Sequence, residues 1–259
     1  MTDLVHARVL DHLTRLRLGH VAERIDALLS DAAKREVTYL DFLDGLLAQE
    51  LASKQRKRIS MHVKIAHFPA VKTLEDFDFK FQPSIDHKLV GELATGRYIA
   101  NAENVLIFGA PGVGKTHLAI ALGRAAVETG HTALFVSATT LLAALARAEA
   151  EGQLDTKLGY FAKPKLLIID ELGYLPFEKR AAHLFFQLVA RRYERGALLI
   201  TTNQVVSQWG TVFGDDVLAA AILDRLLHHS HTHMIQGESY RLKQKKKAGL
   251  LAGASASKA

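Results

Sequence analysis

The chain has 259 residues, 49% of them hydrophobic, with 33 Lys and Arg against 27 Asp and Glu and a formal charge of +6. That apolar content suffices for a sizeable core and excludes wholesale disorder; no apolar run approaches the roughly 20 residues needed to span a bilayer, and no basic-then-apolar leader opens the chain. The absence of cysteine excludes a disulfide scaffold, thiolate zinc and thiol catalysis, so the chain reads as soluble, cytoplasmic and free of membrane.

Residues 1–67 are expected to form a small all-helical domain, with two glycines and no proline before Pro69. Val5, Val9, Leu13 and Leu16 share one helical face, and Val21, Ile25, Leu28 and Leu29 share a second after Gly19. Thr38 is the expected N-cap of a third helix, with Asp41 in the capping-box position and Leu40, Leu43, Leu47 and Leu51 along one side. The knot Lys54, Arg56, Lys57 and Arg58 suits a polyanion such as nucleic acid, and equally a solvated face.

Residues 68–85 are read as a linker. Phe77, Phe79 and Phe81 alternate in it, which predicts an extended segment with three rings on one side, anchored on the next domain rather than stacked on bases.

From residue 86 to 247 the pattern becomes α/β. Strand-length apolar runs at Val105–Phe108, Ala133–Val136, Leu166–Ile169 and Leu198–Thr202 are separated by helical segments at Thr116–Thr129, Thr140–Ala150 and Lys179–Arg195. This succession predicts a parallel sheet flanked by helices on both faces, with ligands at the carboxyl ends of its strands. Residues 248–259, small and polar, are expected to be a disordered tail.

Three of those strand ends carry chemistry. Gly109, Ala110, Pro111, Gly112, Val113, Gly114, Lys115 and Thr116 fit G-x-x-x-x-G-K-[ST] between a strand and the helix that opens at His117. Such glycines turn backbone N–H groups around phosphate oxygens, the Lys reaches the β- and γ-phosphates, and the Thr hydroxyl holds Mg²⁺. ATP and Mg²⁺ are therefore the expected ligands. Asp170, ending an apolar strand, suits Mg²⁺ coordination, and Glu171 suits the general base that polarises a water. Asn203 ends the next strand; its amide could orient that water, or be a polar turn residue. Arg225 lies on an amphipathic helix and could serve a neighbouring subunit's nucleotide, with a salt bridge to Asp224 or Asp216 as the alternative.

Two features near the end stand apart from the nucleotide chemistry. In His228–His233, the residues His229, His231 and His233 would share one face of a strand, but no carboxylate lies in the run, and packing and polar contact are expected over a metal site. Beyond it lie Arg241, Lys243, Lys245, Lys246, Lys247 and Lys258 with no acid among them; the basic residues before them equal the acidic ones, 27 each. Lys243 to Lys247 form a second candidate surface for DNA phosphates.

The phosphate loop, Ile169–Pro176, Arg192–Gly196, Thr202–Asn203, Trp209–Asp215, Ala221–His229 and Gly237–Arg241 together resemble the IstB family, AAA+ transposition helper ATPases of insertion sequences that are related to DnaC-type helicase loaders. Thr202 and Val205 stand where some members carry Ser and Pro-like residues. The resemblance implies an AAA+ fold, a homo-oligomer with ATP at subunit interfaces, Asn203 as first sensor, Arg225 as arginine finger and Arg241 where a second sensor would fall. It also implies double-stranded DNA and a cognate transposase as partners. A replicative helicase loader shares the engine and differs in its partner. A small-molecule P-loop kinase lacks support from Glu171 and the basic knots, and a DnaA-type initiator would need a further DNA-reading domain.

Overall fold

The computed structural model describes residues 2–174 and 177–247, and the expected tail, 248–259, lies outside them. The chain divides into two compact units between Met61 and His62. The first is helical: α1 (Thr2–Arg15), α2 (Gly19–Arg35) and α3, which begins at Tyr39 and runs to Ile65. The expected cap is present, with the Asp41 N–H donating to Thr38 Oγ1 at 3.2 Å and the Thr38 hydroxyl donating to Asp41 at 2.6 Å. A second cap comes from a distance. Leu18 gives α2 no side-chain cap, and the buried Glu50 of α3 instead accepts the Val21 N–H at 3.0 Å, placing a carboxylate at a helix N-terminus. The Leu40, Leu43, Leu47 and Leu51 stripe is 45–76% exposed, so it is not the packed face of this unit.

The second unit begins with α4 (His87–Ala94) and α5 (Arg97–Ala100). It continues through β1 (Asn104–Gly109), α6 (Lys115–Glu128), β2 (Ala133–Ser137), α7 (Ala138–Ala150), α8 (Leu154–Ala162) and β3 (Leu166–Leu172). Then come α9 (Lys179–Arg192), β4 (Ala197–Thr202), α10 (Trp209–Phe213), α11 (Asp216–Leu227), β5 (Ser230–Ile235) and α12 (Tyr240–Lys247). The α9 helix stops at Arg192, three residues before the expected end, because Tyr193 turns extended and Glu194 is left-handed.

All strand pairs are parallel, in the order β2-β3-β4-β1-β5. Every residue of β1 and β4 is buried, as two-sided coverage requires. One face carries a core built around Leu141, Leu145, Phe185, Leu188, Trp209 and Phe213. On the other, α6 lies so close that a Cβ at Gly123 would strike Ile168 and the Phe68 ring. The sequence raised β5 only conditionally. It is an edge strand, its half-buried His231 and His233 alternating with exposed Thr232 and Met234.

The start of the sheet is fastened by polar residues. Asn104 accepts the Leu198 N–H and donates to the Leu226 carbonyl, both at 3.0 Å. Arg192, 1% exposed, donates to five carbonyls, those of Phe161, Ala162, Pro164, Lys165 and Ala197, at 2.8–3.2 Å. Two of these, Phe161 and Ala162, lie at the end of α8, where a cation meets the negative end of the helix dipole. Burial pulls the guanidinium down to about 10, which leaves it charged at neutral pH. A Cβ at Gly196 would come 2.8 Å from the same guanidinium. No described helix is long and apolar enough to cross a membrane.

Candidate active site

Because β4 and not β2 lies beside β1, the carboxyl ends of β1, β3 and β4 come together, and that is where open parallel sheets hold ligands. A cavity of about 700 Å³ opens there, lined among others by Lys115, Thr116, Glu171, Asn203 and Arg241. Its size suits a small organic ligand.

The phosphate loop supplies the floor. Gly112 and Gly114 have φ of +84° and +106°, conformations that a side chain resists. A Cβ at Gly114 would also sit 2.8 Å from the Phe77 ring, and one at Gly112 would strike the Ser239 hydroxyl. The helix α6 starts at Lys115, so its free N–H groups face the loop. The Lys115 ammonium is buried and donates to the Gly109 and Ala110 carbonyls at 2.8 and 2.9 Å. Desolvation lowers its pKa below the ordinary lysine value, partly opposed by Asp170 and Glu171 and reinforced by Arg241.

Thr116 and Asp170, the expected Mg²⁺ ligands, meet at the edge of the loop. The Thr116 hydroxyl lies 3.0 Å from both carboxylate oxygens of the buried Asp170. A hydroxyl and a carboxylate held together at the end of a phosphate loop make a hard-oxygen donor set that fits Mg²⁺. Asp170 lies within β3, which continues to Leu172 instead of ending at Ile169. Ile169 pairs with Ile200 and Leu172 with Thr202, so Asp170 and Glu171 together stand opposite Thr201. This is a β-bulge. It turns Glu171 into the left-handed region, with φ of +60°, and leaves its side chain exposed at the cavity while Asp170 stays buried. Asn203 follows the end of β4 and lines the same cavity.

The roof was not legible in the sequence. Residues 69–85 are not extended but a run of turns, so the expectation of three rings on one side of a strand is corrected. The cause is local hydrogen bonding: the Asp76 N–H donates to the Thr73 hydroxyl at 3.3 Å, and the Phe81 N–H to Asp78 Oδ1 at 3.0 Å. The rings do anchor on the second unit. Phe77 is buried and packs edge-on against His117, and Phe81 meets Tyr240 at 5.3 Å. His117 Nε2 lies 2.8 Å from the Thr73 carbonyl, so its side chain holds this strap.

The strap is tied in turn to the start of α12. Gln82 Nε2 donates to the Glu238 carbonyl, Ser84 bonds both the N–H and the carbonyl of Gln236, and Lys243 pairs with Asp78 at 3.5 Å. The Tyr240 N–H closes the arrangement onto the Gly112 carbonyl at 2.9 Å.

Arg225 does not line the cavity. Its guanidinium donates to the Ala221 carbonyl and lies 4.9 Å above the Phe186 ring, and among the described residues neither Asp224 nor Asp216 pairs with it. The histidine run is dispersed: His231 meets Glu103 at 2.8 Å, while His233 Nε2 is buried without a partner and burial lowers its pKa. His228 and His229 bring ligand atoms within 4.8 Å of one another and of Glu194, all three exposed, with His228 Nδ1 engaged by the Tyr193 hydroxyl. Lys54, Arg56, Lys57 and Arg58 are exposed on α3. Lys243 is taken up by Asp78 and by the Phe81 ring at 4.0 Å. The side chains of Lys245, Lys246 and Lys247 lie outside the described residues.

The chain is similar to known proteins. Residues 11–248 match the family model described as IstB-like ATP binding protein. A Pseudomonas aeruginosa protein named for insertion sequence IS21 and for ATP binding is 49% identical over 239 residues, covering 92% of this chain and 90% of its own. A Geobacillus stearothermophilus protein named in the same way for IS5376 is 44% identical over 239 residues, covering 92% and 95%. Among solved structures, the DnaI crystal structure matches with a TM-score of 0.54 at 22% identity, over 64% of this chain and 91% of that one. AMPPCP-bound DnaA from Aquifex aeolicus matches at 0.52 and 21%, over 70% and 56%. These two likenesses speak for the fold alone, a five-stranded parallel sheet flanked by helices. With its match running from residue 11 to 248, the chain belongs to the family of IstB-like ATP binding proteins.

Proposed function

We propose that the chain is a cytoplasmic ATPase that assembles into a homo-oligomer on double-stranded DNA and assists the transposase of an insertion sequence. The observation that carries the ATPase reading is the meeting, in one cavity, of Lys115, Thr116, Glu171 and Asn203. The names of relatives matched over nine-tenths of the chain support transposition over helicase loading.

In this reading the N–H groups of Gly112 to Thr116 and the Lys115 ammonium bind the phosphates of ATP. Thr116 and Asp170 would hold Mg²⁺, which neutralises charge on the phosphate oxygens when bound. Glu171 accepts a proton from the attacking water, and the Asn203 amide holds that water in line. Arg241 reaches the phosphates from the roof, and Arg225 serves the site of a neighbouring subunit. The test uses purified protein, nucleotide-binding titrations and phosphate release. Lys115→Ala should lose nucleotide affinity, and Glu171→Gln should bind ATP while turnover falls by about 100-fold or more. Normal turnover by Glu171→Gln would remove the base from this mechanism.

DNA is held through its phosphates in this reading, with the exposed Lys54, Arg56, Lys57 and Arg58 as the first surface. Each contact made should contribute about 0.9 to the slope of log affinity against log salt. Random-sequence duplexes titrated at several salt concentrations should therefore show a steep slope, reduced when these four residues become Ala. An unchanged slope moves the surface elsewhere.

A further inference from the structure

The bulge at the end of β3 creates a problem that Thr201 solves. Two residues, Asp170 and Glu171, stand opposite one, so the sheet ladder cannot satisfy both. Thr201 is fully buried on β4. Its hydroxyl donates to Asp170 Oδ1 at 2.5 Å and accepts the Glu171 N–H at 2.9 Å. One oxygen thus uses its single proton on the metal-binding carboxylate and a lone pair on the backbone of the base.

We propose that Thr201 is the positioning residue of the hydrolytic step, its hydroxyl fixing the Asp170 carboxylate and the left-handed backbone of Glu171 in one register. The inference rests on the ATPase reading above. Glu171 at φ of +60° is a costly conformation for a residue with a side chain. The surrounding contacts must hold it, and the bond from its own N–H to Thr201 is the direct restraint. Without that bond the peptide is free to return to an extended conformation, which swings the Glu171 carboxylate away from the cavity. Asp170 Oδ1 would at the same time lose its buried donor, leaving Thr116 alone to orient it.

Valine has nearly the shape of threonine and lacks the hydroxyl, whereas serine keeps the hydroxyl and loses a methyl. Thr201→Val should lower kcat by about tenfold to a hundredfold, the scale of a displaced catalytic group. Its KM for ATP should change less than kcat does, because the phosphate loop is untouched and Thr116 still contacts Asp170. Thr201→Ser should recover most of kcat, which a packing role would not predict. In a Glu171→Gln background Thr201→Val should cost less than it does in the wild type, the remainder being the part exerted through Asp170.

If Thr201→Val does not fold, Thr201→Cys, similar in size and a weak hydrogen-bonder, replaces it in the comparison. A wild-type chain that binds ATP without Mg²⁺-dependent turnover overturns the ATPase reading and this role with it. Turnover by wild type with an equal kcat in Thr201→Val, or a Thr201→Ser as slow as Thr201→Val, overturns the role of Thr201 alone.

Discussion

Lys115 is held in the phosphate loop by two carbonyls, and burial lowers its pKa. Burial thus weakens its hold on the proton while no phosphate is bound. A bound polyphosphate raises the pKa again, so nucleotide binding is coupled to proton uptake above the free-state pKa. Affinity should then fall as pH rises through that value and be flat below it. Calorimetry with a non-hydrolysable ATP analogue over a series of alkaline pH values, in pairs of buffers of different ionisation heat, should register the uptake as pH rises. Lys115→Arg, whose guanidinium stays charged, should register none if it binds. Thr201 shows the limit of sequence reading at this scale. The phosphate loop and Asp170-Glu171 are legible because their chemistry is contiguous in the chain, whereas the partners of Thr201 lie 31 and 30 positions away.

Among the elements, the strands that carry the site were read correctly because unbroken apolar runs demand cover on both faces. In the linker 68–85 alternating phenylalanines suggest an extended segment, while Thr73 and Asp78 accept the N–H groups three residues on and curl it. Glu50 and Arg192 escaped notice since each answers the end of a helix remote in sequence, Glu50 the start of α2 and Arg192 the end of α8. Arg192 carries a firm expectation. Arg192→Met keeps the volume of the stem and removes the donors to five carbonyls, two of these bonds being buried and three partly buried. The second unit should lose on the order of 3 kcal/mol, as unmet buried acceptors cost. Urea unfolding of the variant measures it, and a loss below about 1 kcal/mol would mean that water replaces the guanidinium.

For the whole molecule, one residue of the proposed mechanism, Arg225, lies away from the cavity. In the proposed oligomer it completes a neighbour's site, so specific activity should rise with protein concentration. Mixing Arg225→Ala with Lys115→Ala subunits should restore part of the turnover that neither has alone, as each spoils a different half of a shared site. A mixture no more active than its components would confine Arg225 to its contact with Phe186.

The strap joins residues about 150 positions apart, Gln82 to Glu238 and Ser84 to Gln236. Every motif that identifies the nucleotide chemistry, from Gly109 to Asn203, sits between those attachments, and so does the entire sheet. A fragment trimmed to the sheet would therefore keep each signature residue and lose the lid over them. Phe77 would no longer cover Gly114, and the Gly112 carbonyl would surrender its bond from Tyr240. Minimal excision, the usual route to a tractable ATPase fragment, would here yield a phosphate loop open to solvent, and tags or fusions belong before Pro69 or beyond α12.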